Sequence, residues 1–194
     1  GLVPEGIITE RTRTLGNSYA ILRQEGAKET NRLLANMAAK ASSGHKAFAD
    51  LIAGLSAPDA AVRYWAATGV GNVAAGKSRA VSGTLKIKAR EAAKRGLDDK
   101  SASVRIALAR ALCHLEHPEK ALPVLINELK TGNQWERLQA AIVLDEIDEQ
   151  ARPVLEQMRV GLEFQEGFNA KGKYRVRVMN RALNELEGTN RTVQ

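Results

Sequence analysis

The residues of this 194-residue chain that come nearest to a reactive set are Cys113, His114 and His117. Two histidines three apart, with a soft thiol beside them, are ligand types that suit zinc or copper. Their position works against that chemistry: a helix ending at Leu115, ahead of Pro118, turns Cys113 toward a core and leaves the histidines flanking a turn. No third group is evident to orient a histidine base, and a thiol in apolar surroundings is inert. No Gly-rich phosphate loop, paired-carboxylate site or Ser-His-Asp arrangement can be assembled either. The sequence thus predicts no catalytic residue, no metal and no cofactor.

Charge is the more informative chemistry. Residues 1–97 hold 15 basic and 7 acidic side chains, whereas residues 98–194 hold 14 and 15. The excess is densest from 77 to 95, where Lys77, Arg79, Lys86, Lys88, Arg90, Lys94 and Arg95 oppose only Glu91. Helical spacing places Lys86, Arg90 and Lys94 on one face, with Lys77 and Arg79 on the preceding loop. Such a cluster attracts sulfate or phosphate polymers in a salt-dependent way; the plainer alternative is a solvated helix face. Arg63, Lys86, Lys88, Arg90 and Lys94 are the residues expected to meet an anionic ligand. Tyr64 and Trp65, next to Arg63, have the chemistry to stack on sugar rings or bases, although in stacked helices such a pair more often packs between units.

These side chains must be carried by helices. Aromatic residues make up 4% of the chain, and period-two runs of Val, Ile and Thr are scarce, so strands have little support. Phe48, Leu51, Ile52 and Leu55 fall on one helical stripe, as do Leu122, Leu125, Ile126 and Leu129, with Pro123 expected in the first turn of its helix. Val62-Arg63-Tyr64-Trp65-Ala66-Ala67, Val104-Arg105-Ile106-Ala107-Leu108-Ala109 and Glu136-Arg137-Leu138-Gln139-Ala140-Ala141 superimpose without gaps. In this frame an apolar residue follows each arginine by seven (Val70, Leu112, Leu144) and by ten (Val73, Leu115, Ile147), and a leucine precedes it by eight (Leu55, Leu97, Leu129). The arginines stand 42 and 32 residues apart, a two-helix unit with loops of variable length.

A fourth, degenerate unit begins at Ala151, with Val154, Leu155, Met158 and Leu162 on its first helix and Val176, Met179, Leu183 and Leu186 on its second. Val176 stands there in place of the arginine, and 163–173 reads as a longer loop. Leu33, Leu34, Met37 and Ala41 mark a helix over Glu29 to Ala41 that covers the first unit. The expected architecture is all-α: an α-α superhelix, a right-handed solenoid of about four two-helix repeats over residues 29–188. Residues 1–28 are expected to form an extended lead-in and 189–194 a flexible tail. The guanidinium groups of Arg63, Arg105 and Arg137 are expected to form a structural ladder. Each would reach an acid or the carbonyls of the next repeat, with Asp59, Asp98 or Asp99, and Glu136 as the nearby acids.

An ordinary globular balance, 26% charged and 44% apolar residues, excludes a disordered chain. A single cysteine excludes an internal disulfide framework, and no apolar run approaches membrane-spanning length. A start at Gly1 rather than Met is expected of a piece of a longer protein.

Pro58-Asp59-Ala60-Ala61-Val62-Arg63-Tyr64-Trp65-Ala66-Ala67, an acidic turn before Val-Arg and a small-residue helix, resembles a HEAT-type repeat. Nearly the whole chain resembles the C-terminal regions of bacterial sulfatases similar to N-sulfoglucosamine sulfohydrolases, in which such repeats follow the catalytic domain. That resemblance is carried by Gly1-Leu2-Val3-Pro4-Glu5, Asn17-Ser18-Tyr19-Ala20, the Val62 to Gly69 block, Arg137-Leu138-Gln139-Ala140-Ala141 and Asn184-Glu185-Leu186-Glu187-Gly188-Thr189-Asn190. The family depends on a C/S-x-P-x-R segment matured to formylglycine beside a calcium site. Here Cys113 is followed by His114, Leu115, Glu116 and His117, and Ser56-Ala57-Pro58-Asp59-Ala60 has alanine where the motif requires arginine.

The resemblance therefore implies a non-catalytic accessory domain, HEAT-like, whose partner in cis is a sulfatase catalytic domain and whose further ligand is a sulfated glycan. It also implies a periplasmic or secreted location. Two other readings stay open. One is an independent repeat scaffold for another protein partner. The other is a nucleic-acid-binding repeat protein, which the absence of net positive charge in the second half disfavours.

Overall fold

A computed structural model describes residues 2–16, 26–76, 81–163 and 173–192, and every structural statement below concerns those residues. They are all-α, with no strand among them. Ten α-helices occur in chain order: α1 (Glu5–Leu15), α2 (Ala27–Ala41), α3 (Phe48–Gly54), α4 (Ala60–Ala75), α5 (Gly83–Arg95), α6 (Ala102–His114), α7 (Pro118–Thr131), α8 (Gln134–Glu146), α9 (Leu155–Met158) and α10 (Lys173–Glu187). Short 3₁₀ turns precede α3 and flank α9. No helix is long and apolar enough to cross a membrane.

Several helix starts have a local cause. Asp59 caps α4 by accepting from the Ala61 and Val62 amides, and Ser82 caps α5 through the Leu85 amide. Asn133 and Glu136 form a reciprocal capping box at α8, so Glu136 is committed to a helix start and not to an arginine. Pro118 occupies the first turn of α7, which begins earlier than its leucine stripe suggests; Pro123 consequently lies inside the helix. Its ring faces solvent, where water can serve the carbonyl that loses its main-chain donor.

The pairs α3/α4, α5/α6 and α7/α8 each bury one face, and α4 packs on α6, α6 on α8 and α8 on α10. The frame residues Val70, Leu112 and Leu144 are fully buried, and Val73, Leu115 and Ile147 nearly so. Small residues on α4 permit close contact: a Cβ at Gly69 would lie 2.8 Å from the Ala41 Cα. α2 covers α4 through Leu34, Ala38 and Ala41, while Leu33 points outward, so the stripe is one residue narrower than the sequence suggested.

One terminal expectation is corrected. Residues 5–15 form a helix within the expected extended lead-in, and α1 lies across α6 and α8 with Ile7 buried. Its apolar stripe is too narrow to register as amphipathic. It is held instead by Arg11 pairing with Asp59 at 2.5 Å, by the Trp65 indole donating to the Leu2 carbonyl at 2.6 Å, and by Gly6 against Ser103. At the other end, the stretch expected to be a flexible tail turns back on α10. The Thr189 amide donates to the Asn184 carbonyl, and the Arg191 carbonyl accepts from the side-chain amides of Asn180 and Asn184.

A Cβ at Gly6 would collide with Ser103 Oγ. Gly6→Val is therefore expected to destabilise the protein by about 1–3 kcal/mol and to raise amide exchange selectively in Glu5–Leu15. Unchanged protection of that helix would show that α1 does not depend on this contact.

Candidate functional site

The arginines of the ladder are engaged within the fold itself. Arg63 donates to both carboxylate oxygens of Asp99, at 2.6 and 2.9 Å, and to the carbonyls of Ala57 and Pro58, both at 2.8 Å. Arg105 repeats the geometry: Nε donates to Glu128 Oε1 at 2.8 Å, and Nη1 donates to the carbonyls of Asp99 and Lys100. Arg137 is buried and donates to the Leu129 carbonyl at 2.8 Å. The carboxylates come from the following unit, as the ladder requires, but the carbonyls belong to the turn of the arginine's own unit. Among the acids named in advance, only Asp99 takes an arginine of this series; Asp59 serves α4 and Arg11.

The fourth unit corrects the reading of Val176. Its apolar frame does run from Val176, through Met179, Leu183 and Leu186. The arginine has shifted one residue upstream: Arg175, 3% exposed, donates to the carbonyls of Gly161 and Glu163. Burial, and after it the neighbouring charge of Arg137, pushes this guanidinium below its ordinary value.

Arg63 consequently stands apart from the basic cluster, its donors engaged at the junction, and this removes it from the set expected to contact an anionic ligand. Lys77 and Arg79 lie outside the described residues. The others sit on α5, which divides them. Lys86, Arg90 and Lys94 follow one face, and Lys94 pairs with Glu91 at 3.2 Å. Lys88 lies on a different side, with the exposed Ile87 and Arg95, along an apolar groove of about 510 Å³ beside Ile52 and Leu55 of the first unit. Lys86 and Arg90 instead line a cleft of about 350 Å³ against the end of α6, with His114, Leu115, Glu116 and Gln150. Among the described residues no carboxylate lies within ion-pair distance of Lys86 or Arg90.

Cys113 is buried, and desolvation pushes its thiol up to about 12, so no thiolate is available at neutral pH. The two histidines are held by separate carboxylates, His114 on Glu146 at 3.0 Å and His117 on Glu119 at 2.9 Å. Among the described residues no three His, Cys, Asp or Glu side chains gather at metal-binding distance. Tyr64 and Trp65 make an edge-to-face pair, with ring centroids 5.6 Å apart, and pack on the core while remaining partly exposed. Trp135 is more exposed than either, at 42%.

One polar row was missed by the sequence reading. Arg110 donates to both oxygens of Glu146 at 2.6 Å and to Asn72 Oδ1 at 3.0 Å, and with His114 this ties together three successive second helices. Its signal was present: Asn72, His114 and Glu146 each stand nine residues after a ladder arginine, polar positions within an apolar frame. The hydrogen bond from His114, followed by those from Arg110, lowers Glu146 to about 2 despite its burial.

No protein-family model matches this sequence, and no curated protein matches it.

Two outcomes are expected. Arg175→Met leaves the Gly161 and Glu163 carbonyls without their donor and should destabilise the terminal unit by about 1–3 kcal/mol, read as a lowered denaturation midpoint with exchange rising first in α10. Equal midpoints would mean that relief of Arg137 repulsion offsets the lost hydrogen bonds. Because the Glu146 value is depressed from 4.5 to about 2, its contribution is complete above the ordinary glutamate range and lost as pH falls through that window. The stability gap between the protein and Glu146→Gln should therefore narrow between those pH values; an acid-limb gap independent of pH would contradict the assignment.

Proposed function

We propose that this chain is a non-catalytic, HEAT-like accessory domain of a sulfatase that acts on sulfated glycans outside the cytoplasm, packing on the catalytic domain in cis and extending its contact with anionic substrate. The observation that carries the anionic contact is the state of α5: Lys86 and Arg90 share a cleft and, among the described residues, no carboxylate is paired to either, whereas the arginines of the ladder are engaged in the fold. Uncompensated cations concentrated on one element attract polyanions and release counterions on binding. Support for a non-catalytic role comes from the residues themselves. The thiol is buried and protonated, and the histidines are engaged by carboxylates at a turn and on a helix face.

A second reading is a scaffold that binds another protein, whether or not a sulfatase is attached. The apolar groove between α3 and α5, with Ile87 57% exposed, favours it. Nucleic acid is the weaker option, since the excess of basic side chains is densest on one helix and residues 98–194 carry no net positive charge.

Retention of the chain on immobilised heparin at low and moderate salt tests the first reading. Retention should fall steeply with salt and drop for a Lys86→Ala/Lys88→Ala/Arg90→Ala/Lys94→Ala variant of unchanged helicity, and should exceed retention on duplex DNA. No retention would leave the protein-binding reading, and stronger retention on DNA would favour the third.

A further inference from the structure

We propose that the cleft between α5 and the C-terminal end of α6 is a discrete seat for a small hydroxylated monoanion, a sugar unit carrying one sulfate ester or one carboxylate; this deepens the glycan-contact reading above and rests on it. In this seat Lys86 and Arg90 take the oxyanion, and Glu116 accepts from a neighbouring hydroxyl.

Three features of the cleft support this assignment. The first is its cations. Lys86 and Arg90 stand one helical turn apart on α5 and both line the cleft. Arg90 is oriented in advance: Nη2 donates to the Leu115 carbonyl at 3.2 Å, which fixes the plane of the guanidinium at the end of α6. Its Nε–H is enclosed by the protein and meets no acceptor among the described residues, so it is not a donor open to the cleft. A guanidinium held in one plane, with its remaining Nη hydrogens beside the Lys86 ammonium, suits an oxyanion.

The second feature is the carboxylate opposite. α6 ends in a Schellman turn, in which the Glu116 amide donates to the Cys113 carbonyl at 3.0 Å and the His117 amide to the Leu112 carbonyl at 2.9 Å. The residue after the helix cap in this motif is usually glycine, because its backbone is left-handed; here it is Glu116, with φ of 66°. A carboxylate thus lines the cleft at a position where the backbone favours glycine. Among the described residues, two cations and one carboxylate, with His114 paired to Glu146, leave a net single positive charge, which matches a monoanion better than a dianion. The carboxylate also supplies an acceptor that a bare anion would not use.

The third feature is size. About 350 Å³ is at the lower end of the range for small-molecule sites, roughly 300–1,000 Å³, and accommodates one sugar unit but not an oligosaccharide. Two other clefts among the described residues have different chemistry. The polar cleft beneath α1, about 420 Å³, sets Glu10, Glu128 and Glu136 against Arg13, Lys100 and Arg105, and the groove beside Lys88 is largely apolar.

Amide-resolved NMR titration of the chain tests the seat, with N-acetylglucosamine 6-sulfate, glucuronate, glucose 6-phosphate, inorganic sulfate and N-acetylglucosamine as probes. Saturable shifts at residues 113–117 and 86–90 are expected with N-acetylglucosamine 6-sulfate or glucuronate, and the tighter of the two identifies the source of the charge. Glucose 6-phosphate, largely dianionic at neutral pH, and inorganic sulfate should bind several-fold more weakly, and N-acetylglucosamine not at all. Arg90→Met and Lys86→Met should each weaken binding about tenfold or more, while Lys130→Ala, exposed on α7 and outside the cleft, leaves it unchanged. Glu116→Gly, which suits the backbone at that position, should preserve the fold and abolish the preference for a sugar anion over inorganic sulfate. Absence of saturable shifts, tighter binding of glucose 6-phosphate, or equal weakening by Lys130→Ala overturns the seat. Heparin retention of the same variants separates the two levels: retention without monosaccharide binding overturns the seat and leaves the glycan contact standing, whereas saturable monosaccharide binding without retention sustains the seat and overturns the polymer contact.

Discussion

A helix that stops inside a protein leaves its last carbonyls without donors, and a helical-repeat chain must solve that problem once per unit. Here one arginine from the second helix of each pair reaches back to the end of the first helix, or the turn after it, and donates there. Arg63 and Arg105 do so at the carbonyls five and six residues behind them, Arg137 at Leu129, and Arg175 at Gly161 and Glu163. The first two also reach forward to Asp99 and Glu128 of the next unit, so one side chain closes a turn and joins two units. Asp99 takes part twice, with its carboxylate on Arg63 and its carbonyl on Arg105. The stacking of α4, α6 and α8 depends on these junctions, because apolar faces alone set distance but not register.

The same constraint shapes the electrostatics. A chain of net charge +7 looks strongly basic, yet many of its arginines serve structure: those of the ladder, Arg11 on Asp59 and Arg110 on Glu146. Among the described residues, basic side chains without an ion pair are densest on α5. That helix is the first of its pair, and its basic residues extend around it between two different surroundings, an apolar groove on the first unit and a polar cleft at the end of α6. A cluster continuous in sequence thus becomes two surfaces with different chemistry. The cleft is bounded by a turn whose geometry is imposed by the end of α6 and the start of α7 at Pro118.

Much of this fold was legible in advance because a repeat writes its contacts at fixed intervals. The positions seven and ten residues after each arginine are core residues, as their spacing implied, and the leucine eight before Arg137 is fully buried. The misreadings fall where that frame gives out. α1 carries too little apolar surface to announce itself, and its place depends on Gly6, Arg11 and the Leu2 carbonyl meeting residues 48 to 97 positions away. Leu33 and Leu34 are indistinguishable by hydropathy, and only the neighbour α4 decides which one is covered. In the fourth unit the apolar frame and the arginine separate by one residue, a slip that sequence alignment reads as loss.

The sequence by itself determined the helical class, the two-helix period, the core face of each unit and the location of the excess charge, since all four are local or periodic properties of side-chain type. Tertiary structure decided which cations are engaged and which are available. That choice depends on carboxylates and carbonyls brought close from distant parts of the chain, and no spacing along one helix encodes whether its neighbour presents an acid, an apolar wall or an open cleft.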